Sequence, residues 1–183
     1  MKHSALFTYI ERLQGERPWG HFLDAGTGAK SLAWVGSLDT KQWTAVTAST
    51  SMAEQSKAQF PGVMRPQNRI PVENWIDPKL VSGETFDTVL LDYFVGAVEG
   101  FAPYWQESVL PRVSQLVAPG GRLYITALDP YVPLHAEDEV GRFVGAAMLK
   151  HADEMQQRGL ELIARHDGLA HGFDYVIAAE RTA

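Results

Sequence analysis

The sequence predicts an α/β protein built on an open, mostly parallel sheet with helices on both faces, and three observations carry that expectation. His21 to Ala25 reads as a short buried strand that runs into Gly26-Thr27-Gly28 and then a helix, the usual opening of a ligand-binding α/β sheet. Strand-like and helix-like stretches then alternate in a βαβα rhythm. Thr88-Val89-Leu90-Leu91 lacks polar alternation, as a strand does when both its faces are covered.

Element by element, Ser4 to Leu13 sets Leu6, Phe7, Ile10 and Leu13 at helical spacing behind a Ser that can cap, and Pro18 breaks the chain before the first strand. Ala29 to Val35 reads as helix, Trp43 to Ala48 as strand and Met52 to Phe60 as helix. A short strand is expected around Arg69 to Val72, then a helical turn begun by Asp77-Pro78, then the apolar strand. Pro103 to Val117 is read as a helix that Pro111 should kink and that should stop at Ala118-Pro119-Gly120-Gly121. Leu123 to Leu128 supplies another strand and Glu137 to Arg158 a long helix closed by Gly159. Leu160 to Arg165 and Phe173 to Ala179 are the last strands, joined by the short loop Gly168 to Gly172 and so expected as antiparallel neighbours.

With 183 residues, 45% hydrophobic and 21% charged, the chain can bury one core. The expectation is one domain over 1–183, a leading helix in 1–17 and a core in 18–183. The net charge of −6, with basic residues scattered, disfavours bulk binding to a nucleic-acid backbone. The absence of cysteine excludes disulfides, cysteine metal sites and a thiol nucleophile. No segment approaches the roughly 18 apolar residues of a membrane span, and a soluble cytoplasmic protein is expected. His135 with Glu137, Asp138 and Glu139 shows no metal-ligand spacing, since acids near a helix start are expected from its dipole.

Glycine in the 26–28 turn can take positive φ and lets backbone approach a ligand closely. A phosphate-cradling loop would need glycines where Ala29 and Asp24 stand, and a dinucleotide fingerprint would want a third glycine at Ser31. An acid at the strand end followed by Gly-x-Gly, as in Asp24-Ala25-Gly26-Thr27-Gly28, fits neither of these.

These residues resemble the first motif of the class I S-adenosylmethionine-dependent methyltransferases. Phe86-Asp87-Thr88-Val89-Leu90-Leu91-Asp92-Tyr93-Phe94 looks like that family's fourth strand, and Leu116-Val117-Ala118-Pro119-Gly120-Gly121-Arg122-Leu123-Tyr124-Ile125 is similar to its run into the fifth. The resemblance, which extends from Phe22 to Glu180, implies a three-layer Rossmann-like fold with a seven-stranded sheet whose last strand is antiparallel. It also implies S-adenosyl-L-methionine bound over the carboxyl ends of the first four strands. Asp24, Ala25, Gly26, Thr27 and Gly28 would then line its methionine and ribose part, Glu73, Asn74 and Trp75 would approach the adenine, and Asp92 and Tyr93 would face the sulfonium and the methyl acceptor.

Two residues depart from the family pattern. Where the second strand normally ends in an acid that takes both ribose hydroxyls, the chain offers Ala48-Ser49-Thr50-Ser51-Met52, leaving Ser49 or Thr50 to substitute. Lys30 stands where a small residue is common, and it either pairs with the cofactor carboxylate or lies in solvent. On the acceptor side, Tyr93 to Trp105 reads as an aromatic loop around two glycines, with Phe101, Tyr104 and Trp105 as pocket wall or packing. Tyr131 and His135 add candidates to bind or deprotonate an acceptor, His135 as the group there with a pKa near neutrality. The leading reading is methyl transfer to nitrogen or oxygen of a small-molecule acceptor, with a homo-oligomer or partner subunit allowed. The alternatives are a noncatalytic methyltransferase-like binding subunit and an aminopropyl transferase on the same sheet.

Overall fold

The computed structural model describes residues 4–128, 160–167 and 174–182. Helix α1 (Ala5–Gln14) starts at Ser4, whose Oγ accepts the Phe7 N–H at 3.3 Å, and ends at Gly15, where φ is +61°. Then come β1 (His21–Asp24), α2 (Ala29–Ser37), β2 (Gln42–Ala45) and α3 (Thr50–Ala58). The second half contains β3 (Phe86–Asp92), α4 (Phe94–Phe101), α5 (Gln106–Ser114), β4 (Val117–Leu128), β5 (Leu160–Asp167) and β6 (Asp174–Arg181).

The six strands form one sheet in the order β2-β1-β3-β4-β6-β5. The pairs β1–β2, β1–β3 and β3–β4 are parallel, while β6 runs antiparallel to both neighbours. The stretch expected as a strand around Arg69 to Val72 makes only two isolated parallel bridges, Arg69 to Thr44 of β2 and Val72 to Thr47 just beyond it. Pro71 lies between them and has no N–H to extend the ladder.

Strand alternation divides the core into two layers. Leu23, Val89, Leu91, Leu123 and Ile125 face α4 and α5, packed with Val98, Val109 and Val113. Phe22, Leu90 and Tyr124 face the opposite way, onto Leu6, Phe7 and Ile10 of α1 and Leu32, Trp34 and Val35 of α2. Helix α1 is held there by Phe7 stacked on Trp34, with centroids 4.5 Å apart, and by Trp34 Nε1 donating to Glu11 Oε1 at 2.7 Å.

Two expectations need correction. The stretch read as an aromatic loop after Asp92 contains helix α4, because Phe94, Val98 and Ala102 recur every four residues and are buried, at 5%, 4% and 2% exposure. That burial outweighs the roughly 1 kcal/mol that each of Gly96 and Gly100 costs in a helix. The next helix accordingly begins at Gln106 and carries Pro111 in its interior. The Ala118–Gly121 turn belongs to β4 as an irregularity, since Phe86 pairs with Val117 and Thr88 already with Arg122. Gly120 has φ +73°, and a Cβ on Gly121 would lie 2.8 Å from the Ala118 carbonyl oxygen, so both positions require glycine. The helix expected over 137–158, the loop over 168–172, and Tyr131 and His135 lie outside the described residues. Among the described residues no helix is long and apolar enough to cross a membrane.

Candidate functional site

Parallel strands end together at one edge of the sheet, and there the chain turns from β1 into α2, from β2 toward α3 and from β3 into α4. These three exits enclose a cavity of about 500 Å³, within the range of roughly 300–1,000 Å³ typical of ligand sites. Its walls are the glycine turn and the start of α2, the segment Thr47 to Ser49 with one face of α3, Asn74 and Trp75, and Asp92 with α4.

The glycines serve this cavity through the space they leave. Neither Gly26 nor Gly28 has positive φ, contrary to the expectation; Gly28 is extended, with φ −127° and ψ 176°. A Cβ on Gly26 would meet the Phe94 ring at 2.5 Å, so this glycine admits the protein's own aromatic residue. A Cβ on Gly28 would find only Met52 Sδ, at 3.9 Å, so the space over Gly28 is open cavity. Ser31 Oγ accepts the Gly28 N–H at 3.0 Å, and the first turn of α2 carries no acid, leaving its N-terminus favourable for an anion.

Asp24, Asp92 and Thr126 lie on the α2 face of β1, β3 and β4, because each follows the inward-facing Phe22, Leu90 or Tyr124 by two residues. Asp24 is fully buried, and neither carboxylate oxygen has a hydrogen-bond partner among the described residues. Burial pushes its pKa up to about 7, and the nearby Asp92 adds to the rise. The Thr27 and Ser31 hydroxyls oppose it from close by without closing a bond of good geometry. Asp92 is partly buried and accepts the Thr126 hydroxyl at 2.6 Å. Burial raises its pKa above the usual carboxylate range, against the Thr126 bond and the Lys30 charge. Among the described residues of the wall, Lys30 is the one cation and Asp92 the one acid. Tyr93 follows with φ +49°, a left-handed conformation costly for a bulky residue, and its N–H donates to the Thr126 carbonyl oxygen at 3.0 Å. This sharp turn ends β3 and starts α4, leaving Asp92 at the cavity.

The remaining sequence candidates divide. Ala25, Gly26, Thr27, Gly28, Ser49, Asn74, Trp75 and Tyr93 line the cavity, whereas Thr50, Glu73 and the fully buried Asp24 do not. Ser49 caps α3, its Oγ accepting the Met52 N–H at 3.3 Å. Asn74 is held at the wall, its Nδ2 donating one hydrogen to the Phe101 carbonyl oxygen at 2.7 Å and its Oδ1 accepting the Ile76 N–H at 3.0 Å. Trp75 is a buried wall whose Nε1 donates to the Ala25 carbonyl oxygen at 2.7 Å and whose ring meets Phe94 edge-on at 5.8 Å. Ala97 and Val98, within the segment expected as pocket wall, line it too, and Thr47 and Gln55 also line the cavity and were not expected. The spacing Ser49, Met52, Gln55 was the available signal for a shared helix face. Among the described residues no three His, Cys, Asp or Glu side chains gather as a metal site.

Comparison with solved structures places this architecture. An S-adenosylmethionine-dependent methyltransferase from Clostridium acetobutylicum superposes with a TM-score of 0.72 at 11% identity, covering 100% of this chain and 93% of that one. The N-methyltransferase NodS from Bradyrhizobium japonicum in complex with S-adenosyl-L-homocysteine gives 0.63 at 12% identity, covering 97% and 84%. An rRNA methylase from Streptococcus thermophilus gives 0.61 at 12% identity, covering 90% and 87%. No protein-family model and no curated protein matches the sequence. The fold is the Rossmann-like fold of the class I S-adenosylmethionine-dependent methyltransferases, and at these identities the likeness extends to the fold alone.

Proposed function

We propose that the chain is an S-adenosylmethionine-dependent methyltransferase acting on nitrogen or oxygen of a small, flat, partly apolar acceptor. The observation that carries the reading is the charge arrangement at the strand tips. Lys30 and the N-terminus of α2 lie on one side of the cavity with Asp92 beside them, and the fully buried Asp24 stands behind the glycine turn rather than in the wall. An amino-acid head group with a sulfonium needs this complement, an anion site next to acids that favour positive charge. The open space over Gly28 fits such a ligand, and the buried Asp24 acts on it through its charge and not by contact.

Bound there, S-adenosylmethionine would supply a methyl group on positively charged sulfur, open to in-line attack by the acceptor with neutral S-adenosylhomocysteine as the leaving group. Lys30 and α2 hold the carboxylate. Asp92 orients the acceptor N–H or O–H and, with its raised pKa, takes the proton that the acceptor gives up. Ala97, Val98 and Phe101 of α4 present an apolar wall that excludes water and favours a flat acceptor. The net charge of −6 supports a small molecule over a nucleic acid.

Titration calorimetry with S-adenosylmethionine and S-adenosylhomocysteine tests the reading, and binding of both is expected. Failure of both to bind at millimolar concentration would refute it. Asp92→Asn, which keeps the acceptor for Thr126 and removes the charge, is expected to lower turnover by about a hundredfold. Its affinity for S-adenosylhomocysteine should stay within about threefold of the parent's; an equal loss in binding and turnover would assign Asp92 to cofactor binding alone.

A further inference from the structure

We infer that Gln55 reads the sugar hydroxyls of the cofactor, replacing the acid that the end of β2 lacks; the inference rests on the cofactor reading above. The charged side chains of the cavity wall, Lys30 and Asp92, lie at α2 and β3. The wall formed by Thr47 to Ser49, α3 and Asn74 is uncharged. An uncharged polyol therefore belongs against α3, with the charged head group at the other side.

The other polar side chains on that wall each have at least one group engaged within the protein. Thr47 Oγ1 accepts the Ser49 N–H at 3.2 Å, and Ser49 Oγ accepts the Met52 N–H and shares a 2.9 Å hydrogen bond with Ser51 Oγ. Asn74 has one amide hydrogen on Phe101 and one lone pair on Ile76. Gln55 is the exception, its carboxamide making no hydrogen bond among the described residues. Helix geometry sets it on the cavity side, three residues after Met52 and six after Ser49, all three lining the cavity. A vicinal diol offers two O–H donors, and the Gln55 carbonyl oxygen has two lone pairs to accept them, with the amide hydrogens left to donate back. A carboxylate would do this more strongly, so the neutral group predicts weaker sugar recognition that still depends on this one residue.

The test is titration calorimetry with S-adenosylhomocysteine and its 2′-deoxyribose analogue on the parent, Gln55→Leu and Gln55→Glu. Leucine suits an exposed helix position, so the fold should be unaffected. The parent is expected to bind the deoxy analogue about fivefold more weakly, as for loss of one hydrogen bond. Gln55→Leu should bind S-adenosylhomocysteine about fivefold more weakly and no longer distinguish the two ligands, and Gln55→Glu should restore the distinction. A Gln55→Leu protein that keeps the parent's discrimination overturns the inference and leaves the cofactor reading standing. If the parent binds neither ligand, both are refuted.

Discussion

Gly28→Val is expected to weaken binding of S-adenosylmethionine by roughly a hundredfold while leaving the protein folded. The position is extended, so a branched residue meets no backbone strain, and the only atom near its Cβ is the flexible end of Met52. The cost to the free protein is limited to a poorer cap on α2, about 1 kcal/mol or less. The new methyl groups occupy the space against which the ligand would lie, and overpacking of that kind costs about 1–3 kcal/mol in affinity. Gly26→Val makes an informative control, because its side chain would strike Phe94 and destabilise the protein before any ligand is added. Thermal melting with calorimetry separates the two. Unimpaired binding by Gly28→Val would mean that the ligand does not use this cavity.

Asp24→Asn should raise the stability of the free protein at alkaline pH and do little at acidic pH. In the folded chain the carboxyl holds its proton up to about pH 7, whereas the unfolded chain releases it near 3.8. Between those values the folded state binds the extra proton, so stability falls as pH rises from about 4 to 7 and remains lower above that. Asparagine removes this loss, and a gap of about three pKa units corresponds to about 4 kcal/mol at pH 8. Urea denaturation at pH 4, 6 and 8 measures it. The same substitution is expected to reduce affinity for S-adenosylmethionine at pH 8 by about tenfold, with a smaller loss for S-adenosylhomocysteine, whose sulfur is uncharged. A stability difference that does not change with pH would show that the carboxyl is not held in a desolvated site.

Local chemistry accounts for what was legible in the sequence. The turn at residues 24–28, the acid ending β3 and the capping Ser4 are each written in consecutive residues, and the structure places them as read. Helix α4 was obscured because Gly96 and Gly100 argue against a helix, and only packing of Phe94, Val98 and Ala102 against the sheet outweighs them. Gly26 was read as space for a ligand, yet its neighbour is Phe94, 68 positions later. Asn74 was read as approaching a base, and a hydrogen bond to Phe101, 27 positions away, engages one of its amide hydrogens. Gln55 was passed over because no short motif contains it; which face of α3 meets the cavity is decided by how that helix packs on α2. Pairings between distant positions leave no local pattern, and they decide which polar groups remain for a ligand.

The most direct test of the account is a crystal structure of the protein with S-adenosylhomocysteine. The ligand is expected over the tips of β1, β2 and β3, its backbone against Gly28, its carboxylate toward Lys30 and the start of α2, its sulfur beside Asp92, and its sugar against Gln55. A ligand bound elsewhere, or a cavity closed by Phe94 and Trp75 with none bound at millimolar concentration, would contradict it.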